Sequence, residues 1–210
     1  LDLTAAVRRG APNALVMADM PFGSYHESEA QAVRNAVAFL KEAGADLVKL
    51  EVDGSHATLV EKLAHAGVPV VAHIGSRPQQ VRATGGFKSA GREQKEADKI
   101  VDTAQLMIAM GASVLLVEAV PDEVSERIMA KAVAPQTGER IPVVGCGAGP
   151  SCDGHVVVLH DLLGLSDWQP PFAPPVVNLG EQVQQAAKRW ADQCAQGKYL
   201  ADGGVYGMKD

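Results

Sequence analysis

Two stretches of the chain superimpose position by position: AGADLVKLE at 43–51 and MGASVLLVE at 110–118. Each runs from a glycine helix stop through a small residue and an apolar strand to a terminal glutamate. Further apolar runs repeat the scheme at 14–19 (ALVMAD), 69–73 (PVVAH), 142–145 (PVVG) and 155–160 (HVVVLH). The last is readable as a strand or as a buried helix segment, because short apolar runs do not separate the two. Between them lie helical patterns. One carries Val33, Ala36, Val37 and Leu40 on a stripe that stops at Gly44. A second starts at a candidate N-cap, Ser55, and stops at Gly67, and a third stops at Gly111. A fourth follows Pro121, and residues 178–197 read as a final amphipathic helix with Val183, Ala186, Ala187 and Trp190 facing inward. The first ten residues read as the last turns of a helix that ends at Gly10. Strand and helix alternating at this spacing predict βαβ units and a parallel sheet.

Two architectures compete for such a pattern, an open doubly wound sheet and a (β/α)8 TIM barrel. A dinucleotide-binding sheet places GxGxxG after its first strand. Here the Gly-rich stretch GCGAGPSCDG (145–154) comes late and has Pro150 where the third glycine belongs. A barrel gathers its chemistry at the C-terminal ends of several strands. Asp19, Lys49, Glu51, His73, Glu118 and the loop at Gly145 all occupy such ends, which favours the barrel. Six strand units are visible where eight are needed, so the expectation is a single barrel domain over 1–210 whose first two βα units are missing from this sequence.

Bulk properties narrow the function classes. A net charge of −6 with no Lys/Arg cluster argues against nucleic acid, and 4% aromatics leaves few platforms for stacking bases. No apolar run approaches a membrane span and no signal peptide opens the sequence. Cys146, Cys152 and Cys194 lack CxxC spacing and read as reduced thiols, so a cytoplasmic location is expected.

The stretch LVKLEVDG (47–54) sends Lys49 and Glu51 to the same face of one strand. Asp19 and Glu51 are hard oxygen donors that suit Mg²⁺. Lys49 is a candidate point charge for a substrate carboxylate. His73 could donate a hydrogen bond to substrate or act in acid–base chemistry. Glu118 follows the apolar run VLLV and is expected in a buried setting suited to a proton carrier. Each has a plainer alternative. Asp19 could be a turn former and His73 structural. Lys49 and Glu51 could form an internal ion pair, and Glu118 could pair with a neighbouring helix. Taken together, a divalent cation, a carboxylate anchor and a poised carboxyl suit a 2-oxo acid: the metal polarises the oxo group, an adjacent C–H is lost, and a carbon–carbon bond forms or breaks.

The segments TAAVRRGAPNALVMADMPFGSY, AGADLVKLE, GVPVVAHIGSRPQ, GGFKSAGR, LLVEAVP and IPVVGCGAGPSCDGHVVVLHDLLGL resemble ketopantoate hydroxymethyltransferase (3-methyl-2-oxobutanoate hydroxymethyltransferase). That family belongs to the phosphoenolpyruvate mutase/isocitrate lyase barrel superfamily. The resemblance implies a Mg²⁺-ligating aspartate at Asp19, with Glu51 beside the metal. It also implies a carboxylate-binding lysine at Lys49, a substrate-contacting histidine at His73 and a proton-transfer glutamate at Glu118. The implied reaction transfers a hydroxymethyl group from 5,10-methylenetetrahydrofolate to 3-methyl-2-oxobutanoate through a metal-stabilised enolate. The product, 2-dehydropantoate, leads to pantothenate and coenzyme A. A homo-oligomer is implied too, with a decamer the form suggested by the family. The family's second metal-binding aspartate, in a VGDS-type turn, has no counterpart before Asp19 and is expected upstream of Leu1. Alternatives are an oxo-acid lyase of the phosphoenolpyruvate mutase/isocitrate lyase type, disfavoured because GGFKSAGR lacks cysteine, and a non-catalytic paralogue without the first strands.

Overall fold

A computed structural model describes residues 1–198 and 208. The expected domain limit at residue 210 lies outside the described residues. The chain forms two compact units, Leu1–Val156 and Val157–Asp210, and each is taken by itself.

In the first unit, helix α1 (Asp2–Gly10) leads to strand β1 (Met17–Asp19) and helix α2 (Glu29–Lys41). Strand β2 (Leu47–Glu51), helix α3 (Ala57–His65) and strand β3 (Val70–Gly75) follow. The short α4 (Val81–Thr84) and the long α5 (Gln94–Ala109) precede β4 (Val114–Glu118), α6 (Asp122–Met129), β5 (Val143–Cys146) and β6 (Gly154–His155). All six strands pair in parallel and in sequence order, β1-β2-β3-β4-β5-β6. A doubly wound sheet reverses its strand order at a switch point. Sequential order without reversal is that of a (β/α) barrel, so the α/β fold is consistent with part of one.

Local signals explain the elements. Ser28 caps α2 by accepting from the Gln31 N–H. The start of α3 differs from expectation: Ser55 lies inside a 3₁₀ turn, Gly54–His56, that runs into the helix, and Asp53 caps that turn by accepting from the Ser55 N–H. A carboxylate accepts more strongly at a helix start than a hydroxyl, and Arg77 holds it in place at 2.7 Å. Arg8 ties α1 to the turn before β2 through the Gly44 carbonyl (2.7 Å) and an ion pair with Asp46.

Alternation along the strands separates two faces. Val48, Leu50, Val70, Ala72, Ile74, Leu115, Val117 and Val143 pack with α2, α3, α5 and α6 into the main core. On α2 the buried positions are Ala32, Ala36 and Phe39, with Val33, Val37 and Leu40 partly covered beside them. The opposite face carries Met17, Leu47, Val71, Val114, Leu116 and Cys146, which form a second, smaller cluster. Continuing that face toward the C-terminal strand ends, the next residues are Asp19, Lys49, Glu51, His73 and Glu118. The site therefore rests on an apolar floor.

Two expectations are corrected at the end of the chain. The 155–160 run is neither a long strand nor a buried helix: β6 contains only Gly154 and His155, and Val156, Val157, Val158 and Leu159 are exposed. Its paired stretch on β5 is two residues long, with one further bond from the Val156 N–H to the Gly145 carbonyl at 2.9 Å. In the second unit, α7 (Leu159–Leu162) precedes α8 (Leu179–Ala195), which Asn178 caps. The expected stripe on α8 is present in sequence but not buried, since Val183, Ala186, Ala187 and Trp190 are all exposed. Among the described residues, no helix is long and apolar enough to cross a membrane.

Candidate active site

Parallel register brings the predicted residues together. Asp19 lies opposite Lys49, Glu51 opposite His73, and Glu118 opposite Gly75, just past His73 on the same strand. Stepping along adjacent strands, side chains of one face form a continuous row. Lys49 Nζ sits 2.8 Å from Asp19 Oδ1 and 3.2 Å from His73 Nδ1, and His73 Nε2 lies 3.3 Å from Glu118 Oε2. Lys49 thus pairs with Asp19 and not with Glu51. The reason is that Asp19 is its register partner across the ladder, whereas Glu51 stands one step further along the same strand.

An ammonium can only donate, so His73 Nδ1 accepts from Lys49 and the ring proton is assigned to Nε2. That N–H points toward Glu118 without the alignment of a hydrogen bond, and it is buried with no hydrogen-bond partner. Burial above all keeps His73 below its ordinary pKa; Glu118 opposes this and the Lys49 charge adds to it. A neutral imidazole with one unsatisfied buried N–H is a ready hydrogen-bond donor to a ligand atom.

Glu51 is the buried carboxyl of the group, only 5% exposed. Burial pushes its pKa up to about 7, against the lowering effect of the Gln79 N–H and the Lys49 charge. The Gln79 backbone N–H reaches both Glu51 oxygens, at 3.1 and 3.0 Å. Glu118, placed by sequence in a buried setting, has a side chain 19% exposed. Its side chain is thus partly open to solvent.

Two residues to which sequence reasoning assigned no role join the site. Tyr25 is buried and donates to Gln79 Oε1 at 2.8 Å, while its oxygen accepts from the Glu51 N–H at 3.2 Å. Burial first, moderated by its contact with Glu51, pushes the Tyr25 phenol up to about 12, so it remains a donor. The only sequence signal for either was membership in the quoted stretches ending in SY and PQ.

A divalent cation has two carboxylates available here, Asp19 and Glu51. Among the described residues no group of three or more His, Cys, Asp or Glu is placed to ligate a metal. Few protein carboxylates, with water and substrate oxygens completing the shell, is the habit of Mg²⁺ and not of Zn²⁺. The exposed Asp19 carboxylate commits one oxygen to Lys49, and its donor chemistry fits Mg²⁺.

Comparison with known proteins adds an independent line. The family model for ketopantoate hydroxymethyltransferase matches residues 1–202. Curated proteins named 3-methyl-2-oxobutanoate hydroxymethyltransferase are similar over most of the chain. The one from Pyrobaculum aerophilum is 43% identical over 196 residues, covering 93% of this chain and 72% of the relative. That from Moorella thermoacetica is 42% identical over 197 residues, covering 93% and 71%. That from Gloeobacter violaceus is 39% identical over 208 residues, covering 98% and 73%. With a strand-end site of this composition and a family model spanning nearly its whole length, the chain belongs to the ketopantoate hydroxymethyltransferase family, a family of transferases.

Proposed function

We propose that this chain transfers a hydroxymethyl group from 5,10-methylenetetrahydrofolate to 3-methyl-2-oxobutanoate, giving 2-dehydropantoate for pantothenate synthesis. The observation that carries the reading is the row Asp19–Lys49–His73–Glu118, with its buried, unsatisfied Nε2–H between a cation and a carboxylate. Lys49, fixed by Asp19 and His73, offers the point charge that anchors the substrate carboxylate. His73 turns its Nε2–H, which lies 3.3 Å from Glu118 Oε2, to a substrate oxygen and stays neutral while doing so. Glu118 takes the proton from C3 of the oxo acid; the resulting enolate carbon bonds to the one-carbon unit, water supplies the hydroxyl, and tetrahydrofolate leaves. Asp19 and Glu51 would hold a Mg²⁺ ion, which supplies Lewis-acid polarisation of the 2-oxo group when bound. The full eight-stranded barrel, a cytoplasmic location and a homo-oligomer belong to the same reading, supported by the family alone.

The test is direct. Protein, Mg²⁺, 3-methyl-2-oxobutanoate and methylenetetrahydrofolate should yield 2-dehydropantoate by mass spectrometry. Glu118→Gln should lower kcat by about 10²- to 10⁴-fold, the usual value of a positioned acid–base group. An unchanged rate removes Glu118 from the role given to it, and no product from the wild type removes the reading.

A further inference from the structure

Strands β1 and β3 are not neighbours; β2 lies between them. Backbone pairing alone therefore cannot fix the loop after β1 against the turn after β3. One side chain spans the gap. Gln79, in the 3₁₀ turn Pro78–Gln80, donates its Nε2–H to the Met20 carbonyl at 2.9 Å and accepts the Tyr25 hydroxyl at 2.8 Å. Its backbone N–H goes to the Glu51 carboxylate, and the Glu51 N–H returns to the Tyr25 oxygen. Tyr25, Gln79 and Glu51 close a ring of hydrogen bonds, and the Gln79 amide extends it to the Met20 carbonyl.

We propose that Gln79, seconded by Tyr25, is a positioning residue: its amide clamps the β1 and β3 loops together so that the turn's N–H aims the Glu51 carboxylate into the site. The proposal rests on the reaction assigned above. Only a primary amide serves here. Both a donor and an acceptor are needed on one planar end, so glutamate satisfies Tyr25 and fails at Met20, and alanine fails at both. Met20 and Tyr25 are buried, so water does not readily replace the lost bonds. The polar partners of Lys49 are Asp19 and His73, whereas Gln79 bonds to Met20, Tyr25 and Glu51. The aim of Glu51 and the anchoring of the substrate carboxylate are thereby separable.

That separation defines the test. In the full chain, Gln79→Ala should raise hydrogen exchange at the amides of residues 51 and 79 by tenfold or more. The same variant should lower kcat by tenfold or more and leave KM for 3-methyl-2-oxobutanoate within about threefold. Gln79→Glu should fall between Gln79→Ala and wild type on both exchange and kcat. Tyr25→Phe, which removes a single oxygen, should loosen the same amides and keeps the test available if Gln79→Ala folds poorly. Unchanged exchange at the two amides overturns the bridge. Increased exchange with unchanged kcat per folded molecule overturns the positioning role and leaves a structural contact. A rise in KM alone overturns it too, because Gln79 would then act on the anchor. Wild-type protein without turnover sinks the reaction and the positioning role together, whereas active wild type with an equally active variant sinks only the latter.

Discussion

Gly75 ends β3 two residues beyond His73, directly against the backbone of Glu118. Its φ is +92°, and a Cβ added there would lie 2.4 Å from the Glu118 carbonyl oxygen and 2.9 Å from Val120 Cγ1. That carbonyl is not free to retreat, since it accepts the Ser76 N–H at 2.8 Å. Gly75→Ala therefore meets two separate costs. Holding an alanine at this φ costs about 1–3 kcal/mol, and forcing a methyl against packed backbone costs about 1–3 kcal/mol more. Gly67 provides the control: its φ is +79° but nothing lies within 4 Å of the added Cβ, so Gly67→Ala should incur the conformational cost alone. The two variants should then differ in stability by about 2 kcal/mol, a factor of roughly 30 in the unfolding equilibrium. Urea-dependent hydrogen exchange read on peptides spanning β3 and β4 measures this in the unit that contains them. Because relief of the clash displaces Glu118, Gly75→Ala should also lower kcat by about tenfold or more, and Gly67→Ala should not. Equal destabilisation by the two alanines would refute the packing argument. A stable Gly75→Ala protein of normal activity would refute the claim that this contact sets Glu118.

Other expectations concern the two charges of β2. Glu51 has a folded-state pKa of about 7, raised from 4.5, so the folded chain binds its proton more tightly than the unfolded chain does. The resulting stabilisation is complete below pH 4.5 and is lost as pH rises through 7, by up to about 3 kcal/mol for a shift of this size. Glu51→Gln in metal-free buffer should flatten the stability profile between those limits, and a variant as pH-dependent as wild type would contradict the assignment. Lys49→Ala removes the proposed charged anchor and should raise KM for the oxo acid by about tenfold to a hundredfold, as for other charge-assisted hydrogen bonds; an unchanged KM would place the substrate carboxylate elsewhere.

The parallel α/β class was legible in the repeat of a glycine stop, an apolar strand and a terminal glutamate, because that periodicity is the packing requirement of a βαβ unit. Asp19, Lys49, Glu51, His73 and Glu118 were legible for a related reason: a polar residue at the end of an apolar strand has few places to point. Their pairing was not. Lys49 and Glu51 look like partners in sequence, but inter-strand register gives Lys49 to Asp19 and Glu51 to the Gln79 N–H. The apolar stripe of α8 was readable as a pattern, yet a pattern does not say whether a surface exists for it to cover, and in this chain those residues stand exposed. Likewise Ser55 looked like the cap of α3, but it lies inside a 3₁₀ turn that Asp53, held by Arg77 from the turn after β3, caps instead.

Local sequence, then, determined which segments become strands and helices and which side chains reach the strand ends, since these depend on neighbours within a few residues. Tertiary structure alone decided which of those side chains meet. Gln79 shows the distinction most clearly: in sequence it is one polar residue after a proline, and it becomes the link between β1 and β3 only when the sheet brings Met20, Tyr25 and Glu51 around a single amide.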